Sequence, residues 1–295
     1  FECPLSAAFA KLSEDAKREE KLMQHNLVAK ILSRVKKELA ASSNGQILSK
    51  IKGEGFDFAE LVPYRVGMDA RKIYWNSLAK GGDLQLKTFY EEREVNVAVA
   101  ALLSGSQRFG EPIQKYEKVL ESAAMIAFDA VRSGNPFQGI GMCETEDIVT
   151  APAKSPHAVE KYVTALAKID PLHTQIDPGR VTEKLFKVLR KKSLLVLVSD
   201  FLEPYDLRKI SRKHEVVAMI VRDRFEREPR ALDDTTFHDP ETGAEREFWF
   251  DAKTAQAYKA AYRKHDKKLL NHFMKCGIAS YYLYTDKTLL SALMI

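Results

Sequence analysis

The stretch VNVAVAALLSGSQ, residues 95–107, decides the fold of this chain. Residues 95–103 are apolar apart from Asn96, a composition typical of a buried strand. The run ends abruptly in Ser-Gly-Ser at positions 104–106, so the strand is expected to deliver two hydroxyl groups to the edge of a sheet. Hydroxyl groups held at such an edge suit a metal ion or a phosphate, and both alternatives are open at this point.

The rest of the chain continues the alternation of strands and helices. Strands are predicted at residues 137–143, 148–149, 193–199, 215–221 and 279–284, and helices at 114–132, 157–169, 181–189, 205–213 and 252–275. Continuous apolar strands separated by helices indicate an α/β fold with a doubly wound, mainly parallel sheet of Rossmann-like type. Functional residues of such sheets lie at the carboxyl ends of the strands. Asp200 follows the strand at 193–199, and we expect it beside Ser104 and Ser106.

The composition of the chain limits the classes of protein to which it can belong. The 295 residues are 45% hydrophobic and 29% charged, which is typical of a folded globular protein. A net charge of +5 is mild, so no nucleic-acid partner is expected. No window approaches the roughly 20 apolar residues of a membrane span, and no signal peptide is visible. Three widely spaced cysteines suit a reducing compartment, and the chain is expected in the cytoplasm.

Three segments are predicted. Residues 1–44 form an N-terminal helical arm, in which Leu27, Ile31, Val35 and Leu39 make an apolar stripe. Such an arm either docks on a partner or packs on its own domain. Residues 45–94, which show no clear periodicity, form a segment that is expected to pack on the main domain, and residues 95–295 form the main α/β domain.

Residues 53–93 carry a family resemblance. The block resembles the signature of the bacterial domain-of-unknown-function family fifty-eight, and the segments SLLVLVSDFLEP and HDPETG further on are also similar. The residues that match the signature are Phe58, Tyr64, Arg65, Gly67, Asp69, Arg71, Trp75, Glu92 and Arg93. The chain departs from the signature at Met68 and Tyr74, where acids are usual.

The resemblance implies a von Willebrand A-like domain preceded by a family-specific segment. It also implies a partner, since proteins of this family are thought to act with MoxR-type AAA+ ATPases as adaptors in the assembly or maturation of client proteins.

The von Willebrand A pattern assigns the two serines to a specific kind of metal site. That fold binds Mg²⁺ through Asp-x-Ser-x-Ser after its first strand, a Thr from a later loop and an Asp after its fourth strand. The corresponding residues here are Ser104, Ser106, Thr174 and Asp200, with Ile176 as an alternative to Thr174. Leu102 stands where the first carboxylate belongs, and its loss removes a charge and a ligand. We therefore predict a degenerate site without metal, and expect Leu102→Asp to test the placement.

Three functions compete. The leading hypothesis is a non-enzymatic interaction module working with a MoxR-type ATPase. The first alternative is a ligand-binding domain that uses Mg²⁺ or Mn²⁺ at Ser104, Ser106 and Asp200, and the second is an uncharacterised hydrolase. No phosphate loop and no Ser/His/Asp or Cys/His set supports catalysis. His265 and His272 are interpreted as surface residues, and residues 237–243 as a turn joining two short strands.

Overall fold

A computed structural model describes residues 4–41, 46–52, 60–63, 85–88 and 94–293 of the chain. The nine predicted signature residues, between positions 58 and 93, lie outside these ranges.

Ten strands occur in the described residues. They are β1 (Glu60–Pro63), β2 (Gln85–Thr88), β3 (Val97–Leu102), β4 (Phe137–Met142), β5 (Asp147–Val149), β6 (Leu194–Ser199), β7 (Glu215–Arg222), β8 (Leu232–His238), β9 (Glu245–Phe250) and β10 (Ala279–Tyr284).

Nine α-helices occur in the same residues. They are α1 (Pro4–Ala40), α2 (Gln46–Lys52), α3 (Lys115–Arg132), α4 (Pro156–Leu166), α5 (Pro178–Val188), α6 (Arg208–Ser211), α7 (Arg224–Arg227), α8 (Ala252–Cys276) and α9 (Leu289–Ala292). A 3-10 turn, Gly105–Arg108, follows β3. Over the described part of the chain, none of these helices has the length and apolar character needed to cross a membrane.

Six strands form the main sheet, in the order β10-β7-β6-β3-β4-β5. Every neighbouring pair is parallel except β4 with β5. The chain order reverses at β3, which pairs with β4 on one side and β6 on the other. A doubly wound sheet has its functional crevice at such a reversal, beyond the carboxyl ends of the strands. The predicted doubly wound, mainly parallel α/β fold is confirmed.

The alternation of side chains along β3 divides the core into two layers. Val97, Val99 and Ala101 belong to the apolar cluster that also holds residues of α1, α3 and α4. Ala98, Ala100 and Leu102 belong to a second cluster on the opposite face, with residues of α5 and α8. Because successive side chains of a strand point to opposite faces, a strand covered on both sides must be apolar throughout.

The N-terminal arm packs on its own domain in its described second half. Ile31 and Val35 are fully buried in the first core cluster. The carboxylate Oδ2 of Asp129 in α3 accepts from the backbone amides of Ile47 and Leu48, at 3.1 and 3.0 Å, and so caps the start of α2. Of the two alternatives for the arm, the structure shows packing on the same chain.

One predicted element is much shorter than expected. The helix predicted at residues 205–213 is a single turn, Arg208–Ser211. Tyr205 and Leu207 are buried while Asp206 between them is exposed, which is the alternation of an extended segment. Burial of these two side chains in the second core cluster outweighs the helical propensity of the segment.

Candidate functional site

Ser104, Ser106 and Asp200 meet at the carboxyl edge of the sheet. The two serine hydroxyl oxygens lie 2.9 Å apart. Ser106 Oγ donates to Asp200 Oδ2 at 2.7 Å. The cause is the register of the two parallel strands, in which Ala101 pairs with Val198, so the residues that follow both strands emerge side by side.

A buried lysine, which sequence reasoning missed, completes this cluster. Lys115 Nζ donates to Asp200 Oδ2 at 3.0 Å and to Glu226 Oε1 at 2.7 Å. The Lys115 side chain is only 1% exposed. Glu226 Oε2 in turn accepts from the backbone amide of Asp223 at 2.9 Å. A continuous set of hydrogen bonds therefore joins the ends of β3, β6 and β7.

A second buried cation supports the same edge. The Arg222 side chain is fully buried at the end of β7 and donates to the backbone carbonyl of Asp200. It also donates to Asp266 Oδ1 at 2.9 Å and to the Tyr262 hydroxyl at 3.0 Å. Arg222 thus fixes the backbone that positions the Asp200 carboxylate, while Lys115 neutralises the carboxylate itself.

The pKa values of this pair indicate that both groups are charged. Burial by itself raises the pKa of Asp200, but the Lys115 ammonium and the Ser106 hydroxyl bring it below its usual value. Burial by itself lowers the pKa of Lys115, but Asp200 and Glu226 bring it above its usual value. The two shifts agree, since each partner stabilises the charged form of the other.

Thr174 supports the edge through its backbone. Its carbonyl accepts from the amide of Gly105 at 2.9 Å. Its hydroxyl donates to the Pro171 carbonyl at 2.7 Å and lies 3.3 Å from Cys143 Sγ. These contacts turn the hydroxyl toward its own loop. The alternative residue, Ile176, is buried in the second core cluster and offers no ligand atom.

The described residues do not fit a divalent cation. The Lys115 ammonium already neutralises Asp200, and a metal ion beside it would be repelled. Leu102 is fully buried in the second core cluster, where no ligand oxygen is available. In the described ranges, no group of three His, Cys, Asp or Glu side chains is placed to hold a metal. The absence of bound metal stays a prediction, with Lys115 as a reason that the sequence did not show.

The predicted turn at residues 237–243 lies on this edge. It joins β8 and β9, which form a separate antiparallel hairpin. The Pro240 carbonyl accepts from the amide of His173 at 2.7 Å. The Pro240 carbonyl also lies against Gly105, where an added Cβ atom would clash with it. The turn therefore covers the loop that follows β3.

The two histidines interpreted as surface residues are only partly exposed, and each ring contacts the backbone of a neighbouring segment. His265 is half-buried, and its Nε2 lies 2.9 Å from the carbonyl of Phe201. His272 is also half-buried, and its Nε2 accepts from the amide of Leu207 at 3.3 Å. Both rings attach α8 to the segment that follows β6, so their role is structural.

The sheet and its carboxyl edge together define an α/β protein in which a buried lysine neutralises the aspartate that follows β6. A family model described as "Protein of unknown function DUF58" matches residues 60–268. This chain belongs to that family, and the resemblance predicted from residues 53–93 is confirmed.

Relatives and solved structures are similar over most of the chain. The uncharacterised protein Rv1480 of Mycobacterium tuberculosis H37Rv is 26% identical over 262 residues, covering 86% of this chain and 82% of Rv1480. The crystal structure of the conserved hypothetical protein BatB from Bacteroides thetaiotaomicron is 11% identical, covers 68% of this chain and 94% of BatB, and has a TM-score of 0.39. The SpRpn10 VWA domain is 9% identical, covers 68% of this chain and 94% of that domain, and has a TM-score of 0.38.

Replacing Lys115 by Met is expected to lower the free energy of unfolding by about 3–5 kcal/mol, because Asp200 and Glu226 are then buried without their cation. The matched control is Lys187→Met. Lys187 pairs with Glu183 at 3.6 Å with both side chains about three-quarters exposed, and such a pair is worth about 0–1 kcal/mol. Urea unfolding at pH 7 measures both variants. Equal losses for the two would contradict the assigned role of Lys115.

The stabilisation from this pair is expected to depend on pH at both extremes. The pKa of Asp200 is lowered from 3.8, so its contribution is complete above pH 3.8 and is lost as the pH falls through the lower folded-state value. The pKa of Lys115 is raised from 10.5, so its contribution is complete below pH 10.5 and is lost as the pH rises through the higher folded-state value. The difference in unfolding free energy between wild type and Lys115→Met should therefore be flat near neutral pH and shrink in strong acid. A difference that grows on acidification would be inconsistent with this pair.

Millimolar Mg²⁺ or Mn²⁺ is expected to leave the melting temperature unchanged in wild type and in Leu102→Asp, because both retain the Lys115 ammonium. If the free metal were present at about a hundred times its Kd, binding would add about 2.7 kcal/mol to the free energy of unfolding. A thermal melt detects a change of that size. The double variant Leu102→Asp/Lys115→Ser removes the ammonium and is the one in which a shift is expected. A shift in wild type that Asp200→Asn abolishes would show a functional metal site.

Proposed function

We propose that this chain is a non-enzymatic protein-interaction module that works in the cytoplasm with a MoxR-type AAA+ ATPase, in the assembly or maturation of client proteins. The ATPase and the clients come from the family resemblance. The cytoplasmic location comes from the three widely spaced cysteines. The structural observation that supports an interaction role is the closed network of Ser106, Asp200, Lys115 and Glu226 at the edge of the sheet.

This network does not provide Ser106 with the base that nucleophilic catalysis requires. A nucleophilic serine needs a base that accepts its proton, usually a histidine. Ser106 instead donates to Asp200, a carboxylate whose pKa is lowered and whose charge is matched by Lys115. A carboxylate with a lowered pKa is a weak base at neutral pH. The hydrolase alternative therefore gains no support at this edge.

The hairpin beside the edge offers a contact residue. Trp249 in β9 is 70% exposed, an unusual state for so large an aromatic side chain. The next residue, Phe250, is buried, with its ring 5.7 Å from that of Phe225 and 6.2 Å from that of Tyr258. The buried ring of Phe250 thus anchors the strand that presents the exposed indole, and tryptophan is strongly enriched among residues that dominate protein interfaces.

Trp249→Ala is expected to weaken association with the MoxR-type ATPase of the same organism at least tenfold, since truncating a central interface residue typically costs about 2 kcal/mol or more. Met274→Ala is the matched control, because Met274 is 72% exposed on α8. Co-purification and ATP turnover by the ATPase, with and without this chain, measure the association. Absence of both effects for wild type at micromolar concentration would refute the ATPase partnership. Equal losses for the two variants would refute the role of Trp249.

A further inference from the structure

The six-stranded sheet ends on one side at β10, a strand without the features that usually protect a sheet edge. β10 pairs with β7 and has no second neighbour among the described residues. Its sequence, ASYYLY, holds neither a charged residue nor a proline. Edge strands commonly carry such residues, or are very short, which prevents pairing with another chain. The opposite edge strand, β5, follows that rule, since it has three residues and its Asp147 pairs with Arg180 at 2.6 Å.

The backbone groups of Ser280 and Tyr282 face the open side of β10. The amide of Thr285, directly after the strand, donates to the Arg222 carbonyl of β7 at 3.0 Å. Because alternate residues of a strand direct their backbone groups to opposite sides, the odd-numbered residues of β10 face β7 and the even-numbered residues face away from it. Within the described part of the chain, neither the amide nor the carbonyl of Ser280 or Tyr282 has a hydrogen-bond partner on that side. The strand is therefore able to pair with one more strand.

Two adjoining cavities lie along this open side. One, of about 640 Å³, is lined by residues of β10, α7 and α9, and the other, of about 610 Å³, by residues of β10, α7 and α8. Both linings include Arg227, Glu228, Tyr282 and Tyr284, so the two form one continuous groove, the β10 groove. Tyr282 Oη donates to Asp266 Oδ2 at 2.8 Å, and Arg227 Nη1 donates to the Tyr284 hydroxyl at 3.1 Å. These bonds hold both tyrosine side chains in place.

The β10 groove is positively charged. Of its carboxylates, Asp266 is neutralised by the buried Arg222 at 2.9 Å. Asp286 pairs with Arg224 at 2.7 Å, which leaves Glu228. Five lining cations form no ion pair with any described residue, namely Arg227, Lys259, Arg263, Lys267 and Lys287. Because Glu228 offsets only one of them, the groove attracts an acidic chain and repels a basic one.

The open backbone and the charge together select one class of partner. An unpaired strand binds another extended chain, and main-chain hydrogen bonds of this kind are a recurrent mode of peptide recognition. A second copy of this chain would bring the same cations to the groove, so pairing between two β10 strands is electrostatically disfavoured. Polyphosphates and lipid headgroups match the charge but lack a strand backbone that pairs with Ser280 and Tyr282. An acidic extended segment satisfies both features.

We propose that the β10 groove binds an acidic segment of a partner protein, which adds to the sheet as a further strand beside β10. The backbone of this segment pairs with Ser280 and Tyr282. Its alternate side chains point toward α8 and carry the carboxylates that contact Arg263 and Lys267. This inference rests on the proposed interaction function, and it names a surface whose lining does not include Trp249.

The first experiment titrates a labelled acidic peptide, STEVEVEVTS, against wild type and measures fluorescence polarisation. Its glutamates alternate with valines, so an extended strand presents all the carboxylates on one face. The peptide STKVKVKVTS, which reverses the charge, is the first control and should bind about tenfold more weakly or less.

Two methylated forms of the acidic peptide test the backbone pairing. One is N-methylated at the three valines and the other at the three glutamates, so each keeps every side chain and loses the amide hydrogens along one edge of the strand. Only one edge of an added strand faces β10. One form should therefore bind as the parent peptide does, and the other about tenfold more weakly.

The second experiment changes the chain. Ser280→Pro removes the amide that faces the open side and no bond to β7, and Ser280→Ala keeps that amide as the matched control. Arg263→Glu/Lys267→Glu reverses two groove charges, and Lys264→Glu/Lys268→Glu makes the same change at exposed residues of α8 outside the groove. Ser280→Pro and the groove double variant should each bind the acidic peptide about tenfold more weakly than their controls. If Ser280→Pro fails to fold, the methylated peptides test the same pairing on wild type.

Each contrary outcome has a defined meaning. Acidic and basic peptides that bind equally, or an acidic peptide that does not bind, would overturn the selection of an acidic segment. Equal binding of the two methylated forms would overturn strand addition and indicate a surface for any polyanion. Equal losses in the two double variants would place the peptide outside the groove. A dimer of wild type in analytical ultracentrifugation that Ser280→Pro abolishes would show a second copy at β10 instead. Since no ATPase is present, failure here is distinguishable from failure of the ATPase partnership.

Discussion

The buried ion pair between Lys115 and Asp200 is the interaction on which this structure depends. An ammonium and a carboxylate withdrawn from water are stable only when further hydrogen bonds satisfy them, and Ser106 and Glu226 supply those bonds. Lys115 is the first residue of α3, where the positive end of the helix dipole disfavours a cation. The two carboxylates offset this cost. The pair thereby fixes the start of a helix that is buried along most of its length, between the sheet and the N-terminal arm.

The same pair explains why two serines remain at an edge that does not fit a metal. A carboxylate oxygen accepts several hydrogen bonds, and a buried one that lacks donors is costly. Ser106 donates directly to Asp200, and Ser104 lies within hydrogen-bond distance of Ser106. The hydroxyl groups thus satisfy a carboxylate that is already paired with an ammonium ion. Leu102 belongs to the apolar layer below, so exchanging it alone leaves the positive charge in place.

Residues that follow strands were predictable, and residues that reach the edge from elsewhere were not. The apolar runs at β3 and β6 located Ser104, Ser106 and Asp200, because parallel strands in register end together. Arg222 at the end of β7 and Glu226 four residues later had a comparable signal, because a charged segment begins where that apolar strand ends. Lys115 had none, since a lysine at the start of a helix resembles any exposed lysine, and its partner Asp200 is 85 residues away. The von Willebrand A pattern assigned Thr174 to the site. Its hydroxyl instead points toward its own loop, because it donates to the Pro171 carbonyl there. The helix predicted at 205–213 is shorter than expected for a similar reason, because burial of Tyr205 and Leu207 favours an extended backbone there.

The edge is closed at two levels that differ in strength. The ion pair lies beneath, is almost inaccessible, and breaking it would leave buried charges without partners. The hairpin tip lies above, where the Pro240 carbonyl accepts from the backbone amide of His173 at 2.7 Å. The lysine therefore holds the ends of β3, β6 and β7 together beneath the hairpin tip. The position at which a doubly wound sheet usually carries its functional crevice is thus filled by ion pairs between the chain's own residues.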